Sequence, residues 1–158
     1  MIICKVIGHV WATKKEPRLE GLKLMVVQEN QITPMHFHWN KMEDIINCGG
    51  GNLMIKLYNS TADEQLSDTD VLVSLDGVQH TFPAGYVVTL HPGESITLTK
   101  GLDHRFWGEE GKGTVLVREV SMCNDDNADN RFYDPVGRFP TIEEDEPPFR
   151  LLCNEYPV

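Results

Sequence analysis

Four side chains in this chain have the types and spacing of a metal-binding set. His36 and His38 stand one residue apart, Glu43 follows after four intervening residues, and His104 lies far downstream. Side chains alternate along a strand, so His36 and His38 point to one face. Glu43 is near enough to curl onto the same ion, and an imidazole from a distant strand closes the set. Three neutral nitrogens and one anionic oxygen suit Mn²⁺, Fe²⁺, Co²⁺, Ni²⁺ or Zn²⁺. On a six-coordinate ion, four protein ligands leave two adjacent positions, which fit two neighbouring oxygens of a small molecule.

The rest of the sequence supplies strands to position these groups. Leu53 to Tyr58 is a short apolar-rich run, and Val71–Leu75 meets Val78–Phe82 across Asp76-Gly77. Asp-Gly between two such runs predicts a hairpin, because both turn residues take positive φ. Tyr86–Leu90, Ser95–Leu98 and Val115–Val120 read as further strands, with Pro83-Ala84-Gly85 and Pro92-Gly93 as punctuation. Gly49-Gly50-Gly51 reads as a tight connection between strands, since no helix start follows it. Many short strands with regular turns predict an all-β sandwich or barrel. The Asp-, Asn- and Pro-rich tail from Asn124 is expected to be irregular and to wrap the barrel.

Composition narrows the partners. A chain of 158 residues with 41% hydrophobic content can build one domain with its own core. A net charge of −10 argues against nucleic acid or an anionic membrane as the partner. Cys4, Cys48, Cys123 and Cys153 show no CxxC spacing and read as free thiols of a reducing cytoplasm. Neither a signal peptide nor a membrane span is expected from the sequence.

The segment from Pro34 to Glu43 resembles the first cupin motif, HxHx₄E. The segment Gly93 to His104 resembles the second, G-x₅-P-x-G-x₂-H, with Thr99 in place of the proline. The likeness implies a cupin double-stranded β-helix, a jelly-roll barrel with His36, His38, Glu43 and His104 as ligands of one divalent ion per chain. From about Leu24 to Tyr156 the chain further resembles the D-lyxose ketol-isomerases, a family of cupin sugar isomerases. This likeness rests on Glu29-Asn30-Gln31-Ile32-Thr33-Pro34-Met35-His36-Phe37-His38-Trp39, on Lys41-Met42-Glu43-Asp44-Ile45-Ile46-Asn47 and on Gly49-Gly50-Gly51-Asn52-Leu53. Phe106-Trp107-Gly108-Glu109-Glu110, Asn124-Asp125-Asp126, Glu144-Asp145-Glu146-Pro147 and Leu152-Cys153-Asn154-Glu155-Tyr156 extend it.

The N-terminus is expected to depart from that family, whose longer helical lead-in is not recognised in the residues before Leu24. Met1 to about Gln28 is instead similar to the opening of pentameric bacterial microcompartment vertex proteins, through Met1-Ile2-Ile3-Cys4-Lys5-Val6-Ile7-Gly8, Ala12-Thr13-Lys14-Lys15 and Gly21 to Gln28. The expected organisation is N-terminal strands over residues 1–28, either a fusion or a divergent hairpin, and a cupin metal-binding domain over 29–158.

The isomerase resemblance implies interconversion of D-lyxose and D-xylulose, and of D-mannose and D-fructose, by proton transfer through an enediol. It also implies Mn²⁺ as the cofactor, a homodimer and a small sugar as the partner. Such a reaction needs a proton shuttle beyond the ligands. Lys41, two residues before Glu43, Glu119 on the strand after His104, and Asp125 at its exit are candidates. Lys23 joins them because a lysine at its position faces the site in the isomerases. Trp39 and Trp107 are candidates for stacking on the sugar and Arg138 for holding a hydroxyl, whereas Phe106 reads first as barrel core. Some isomerases carry an acidic residue just before that arginine, where this chain has Gly137. The competing readings are another metal cupin enzyme, such as a dioxygenase, and a non-catalytic sugar-binding or shell-associated module. His9, His80 and His91 lack ligand spacing and are expected to be structural or exposed.

Overall fold

A computed structural model describes residues 22–27, 31–123 and 128–135, with only the backbone for 22–26. Eleven strands are present among them: β1 (Leu22–Val27), β2 (His36–Phe37), β3 (Glu43–Gly50), β4 (Leu53–Asn59), β5 (Val71–Leu75), β6 (Val78–Phe82), β7 (Val87–Leu90), β8 (Ser95–Leu98), β9 (Leu102–Gly108), β10 (Val115–Ser121) and β11 (Arg131–Phe132). They form two antiparallel sheets, ordered β1-β10-β3-β8-β5-β6 and β11-β2-β9-β4-β7. Sequence neighbours β3 and β4 lie in opposite sheets, as do β7 and β8, which is the back-and-forth course of a jelly roll.

Period-two alternation sends one set of side chains into the space between the sheets. Leu53, Ile55 and Leu57 of β4, Val71 and Val73 of β5, and Val115 and Val117 of β10 are buried there with Ile96, Leu98, Leu90 and Phe106. The same alternation delivers polar groups at the strand ends. Glu43 opens the inward row Glu43–Ile45–Asn47 of β3, and Glu119 closes the inward row Val115–Val117–Glu119 of β10.

The Asp-Gly hairpin forms as expected. Asp76 and Gly77 have φ of 47° and 82°, and Leu75 pairs with Val78 across them. The triple glycine makes the crossing from β3 to β4. Gly50 sits at φ 93°, and a Cβ there would collide with the main-chain oxygen of Thr114. Of the tail, only residues 128–135 are among the described residues. Its short β11 adds to β2, with Arg131 opposite Phe37 and Phe132 opposite His36. At the other sheet's edge, β1 pairs with β10 over its whole length.

Candidate metal centre

Three strands bring the four ligand candidates together. β2 carries His36 and leads directly into His38; β9 lies beside β2 with His104 opposite His36; β3 begins with Glu43 in the facing sheet. One ligand atom from each residue lies within 4.8 Å of all the others. His38, Glu43 and His104 are buried, and His36 alone is partly open. Phe132 flanks His36, with ring centroids 5.5 Å apart.

The ring orientations are set by main-chain carbonyls. His36 Nδ1 bonds Pro34 O at 2.9 Å, His104 Nδ1 bonds Leu102 O at 3.0 Å, and His38 Nδ1 bonds Asp129 O at 3.0 Å. A carbonyl only accepts, so each Nδ1 carries the proton and each neutral ring keeps a lone pair on Nε2. His104 Nε2 faces Glu43 Oε1 at 2.8 Å, yet neither atom has a well-directed hydrogen-bond partner, nor does His38 Nε2. Buried acceptors pointed at one another are unstable unless a proton or a cation lies between them. Orphaned nitrogens and a carboxylate oxygen converging on one point fit a divalent ion.

Lys41 extends the cluster. Its ammonium donates to Glu43 Oε2 at 2.6 Å and to Glu119 Oε1 at 2.8 Å, with all three side chains buried. Burial opposes charge on Lys41, but the two carboxylates outweigh it and raise its pKa, so the ammonium form holds. Burial likewise opposes charge on Glu43, but His104 and Lys41 hold it far below the usual carboxylate range. His104 is pushed up despite its burial, because Glu43 lies beside it. His36 and His38 are pushed down, first by desolvation and then by the positive groups at His104 and Lys41 respectively. With His104 neutral, two carboxylates and one ammonium leave a net negative charge that a cation would offset, and a proton on His104 is the alternative way to balance it.

The other sequence-nominated residues fall in different places. Lys23 pairs with Glu119 in backbone register. Asp125, Gly137 and Arg138 lie outside the described residues, as do His9, Cys4 and Cys153. Trp39 packs edge-on against Phe37 at 4.6 Å and reaches Glu64 through its indole N–H. Phe37 alternates with the two histidines, so this aromatic pair occupies the opposite face of the segment. Trp107 alternates with His104 and Phe106 in the same way and sits 5.6 Å from the Arg105 guanidinium. Phe106 belongs to the apolar core, and His80 and His91 are exposed. Asp129, not among the residues singled out above, is buried and bonds to the segment that carries His38 and Lys41. Its only sequence signal was membership of an Asp/Asn-rich stretch.

Comparison with known proteins follows the same direction. The D-lyxose isomerase family profile matches residues 5–156. A D-lyxose/D-mannose isomerase of Serratia proteamaculans is 58% identical over 134 residues, covering 85% of this chain and 59% of the relative. One of Escherichia coli O157:H7 is 54% identical over the same coverage. The chain therefore spans 59% of the length of these curated relatives. Among solved structures, the ligand-free L-ribose isomerase of Cellulomonas parahominis aligns with a TM-score of 0.55 at 20% identity, over 78% of this chain and 68% of that one. The L-ribose isomerase of Geodermatophilus obscurus aligns with a TM-score of 0.55 at 20% identity, over 72% and 57%. At that identity the likeness speaks for the fold, and it agrees with a cupin double-stranded β-helix. With nearly all of its length matched by one profile and more than half of its aligned residues identical to two curated relatives, this chain belongs to the D-lyxose isomerase family.

Proposed function

We propose that the protein is a metal-dependent aldose–ketose isomerase acting on D-lyxose and D-xylulose, and on D-mannose and D-fructose, through an enediol. The observation that carries this reading is a three-histidine, one-glutamate cluster among the described residues, in a chain whose curated relatives are D-lyxose/D-mannose isomerases. His36, His38, Glu43 and His104 would hold one divalent ion, Mn²⁺ by preference, and the bound ion would supply Lewis-acid polarisation of a carbonyl oxygen.

The remaining work falls to the chain itself. Isomerisation removes a proton from C2 of the aldose and places one on C1, while a second proton moves between the two oxygens. Glu119 is the carboxylate proposed to take and return the carbon-bound proton. Lys41, held as an ammonium, donates hydrogen bonds to substrate oxygen and to Glu119, and so limits the build-up of negative charge. Lys23, in register with Glu119, and Asp125 remain candidates for the oxygen-to-oxygen transfer, and Arg138 for a sugar contact, whereas Trp39 and Trp107, turned away from the ligand histidines, would meet a sugar only outside the metal centre. A general acid or base contributes roughly 10²–10⁴-fold.

A homodimer in the cytoplasm completes the proposal. The exposed free thiols of Cys48 and Cys123 are consistent with a reducing compartment. No helix among the described residues is long and apolar enough to cross a membrane. The decisive experiment is incubation of the Mn²⁺-loaded protein with D-lyxose or D-mannose in D₂O. Ketose product with solvent deuterium at C1 is expected. Product without deuterium would point to a hydride shift, and sugar binding without product would favour the non-catalytic module.

A further inference from the structure

The three imidazoles differ in where their orienting carbonyl comes from. Pro34 O serves His36 and Leu102 O serves His104, each from two residues earlier in the same segment. The carbonyl for His38 comes from Asp129, 91 residues away. His38 is thus the one ligand whose ring depends on a distant part of the chain.

Asp129 is 3% exposed, and its side chain is as engaged as its carbonyl. The carboxylate accepts from the main-chain N–H of Trp39 at 2.8 Å, of Asn40 at 2.9 and 3.2 Å, and of Lys41 at 3.0 Å. It also accepts from Asn40 Nδ2 at 3.2 Å. Three successive N–H groups converging on one anion form a nest, here filled by an internal carboxylate. The nest is built from the residues that join His38 to Lys41. One residue therefore fixes the ring of a ligand with its main chain, and with its side chain the turn that aims Lys41 at Glu43 and Glu119. β11, two residues further on, ties the same segment to β2.

We propose that Asp129 is the positioning residue of this centre, holding His38 in the Nδ1–H tautomer and setting Lys41 beside the ligand carboxylate. This rests on the metal reading above, but it makes a separate claim about the metal-free protein. The alternative is that Asp129 only caps a loop, in which case its loss lowers stability and leaves the site's properties unchanged.

Full-length wild type, Asp129→Ala and Asp129→Asn distinguish these. Co²⁺ affinity is read by chelator competition, Co²⁺ absorption reports the ligand number, and ¹⁵N NMR reads the imidazole tautomers without metal. Asp129→Ala is expected to bind Co²⁺ about 10–100-fold more weakly, the usual cost of a lost supporting group. The substitution keeps the Asp129 carbonyl but removes the carboxylate that anchors it to the 39–41 turn, so the carbonyl is released from His38 and the His38 resonances should move toward the Nε2–H tautomer while those of His36 and His104 stay in place. Asp129→Asn keeps one acceptor oxygen and should lie between the two. Variants that bind Co²⁺ within about two-fold of wild type, with His38 unchanged, would overturn the proposal. If the alanine variant does not fold, the asparagine variant decides. If wild type itself fails to bind metal, the metal reading fails, while the His38 tautomer still tests Asp129.

Discussion

Around Leu53, Ile55, Leu90 and Phe106 the space between the sheets is filled with hydrocarbon, whereas around His38, Lys41, Glu43, His104 and Glu119 it is filled with charge. β4 and β9 run through both zones: Leu53 pairs with Gly108 at one end, and Leu57 pairs with His104 at the other. The apolar zone is self-sufficient, since burying each large side chain contributes about 1.5–3 kcal/mol. The charged zone is not. Buried ion pairs roughly break even against desolvation, and several of its acceptor atoms have no well-directed partner. One zone folds the protein, and the other is held in place by it.

The sharpest way to break this contrast is Lys41→Met. It leaves two carboxylates buried together without their shared ammonium, so the metal-free protein should lose about 3–5 kcal/mol in urea denaturation. Added metal should recover part of that loss, while kcat stays down by about 10²-fold or more. An unchanged stability would mean that Glu43 and Glu119 do not depend on Lys41. Leu53→Ala tests the other zone. It should cost about 2–5 kcal/mol, yet leave metal affinity within a few-fold of wild type by chelator competition.

Metal itself should stabilise only the charged zone. At a free concentration about 100 times Kd, wild type should gain about 2.7 kcal/mol. His104→Ala should gain almost nothing, and metal analysis after dialysis should find most of its ion gone. The smallest effect is on pH. His36 and His38 have lowered folded pKa values, so below about 6.5 the unfolded chain takes up protons that the fold refuses, and stability falls as pH falls. His104 is raised, so its contribution is complete below about 6.5 and is lost as pH rises through its folded value. The metal-free protein should therefore be most stable near pH 6.5, with slopes of about 1.4 kcal/mol per pH unit for each proton of difference. Metal affinity should fall on the acid side, since the ligands must be neutral. A stability profile that is flat from pH 8 to 5 would show that the histidines are not perturbed as their surroundings require.

The two zones were unequally legible in the sequence. Strand alternation and the Asp76-Gly77 turn are local properties, so the hairpin and the strands β4 and β10 could be read directly. The ligand set was legible because His36, His38 and Glu43 fall in one short segment and only His104 had to be found elsewhere. Lys41 could be nominated from its spacing to Glu43, and Glu119 from its strand. Their shared contact could not, because it spans 78 residues. Asp129 was invisible for the same reason, since nothing near it in sequence resembles the turn it fills. Trp39 and Trp107 were nominated by residue type and nearness to the motif, whereas the pleat turns each away from its neighbouring histidine.

The three carbonyls that orient the imidazoles belong to the backbone, and that affects how mutations register in this protein. An alanine scan deletes side chains only, so it cannot remove the oxygens of Pro34, Leu102 or Asp129. A survey of that kind would find the ligands and Lys41 but leave two of the three supports undetected. A substitution at Leu102 or Pro34 alters packing while retaining the acceptor. Only a backbone edit, such as an ester in place of the amide that contains the carbonyl, would weaken those acceptors directly.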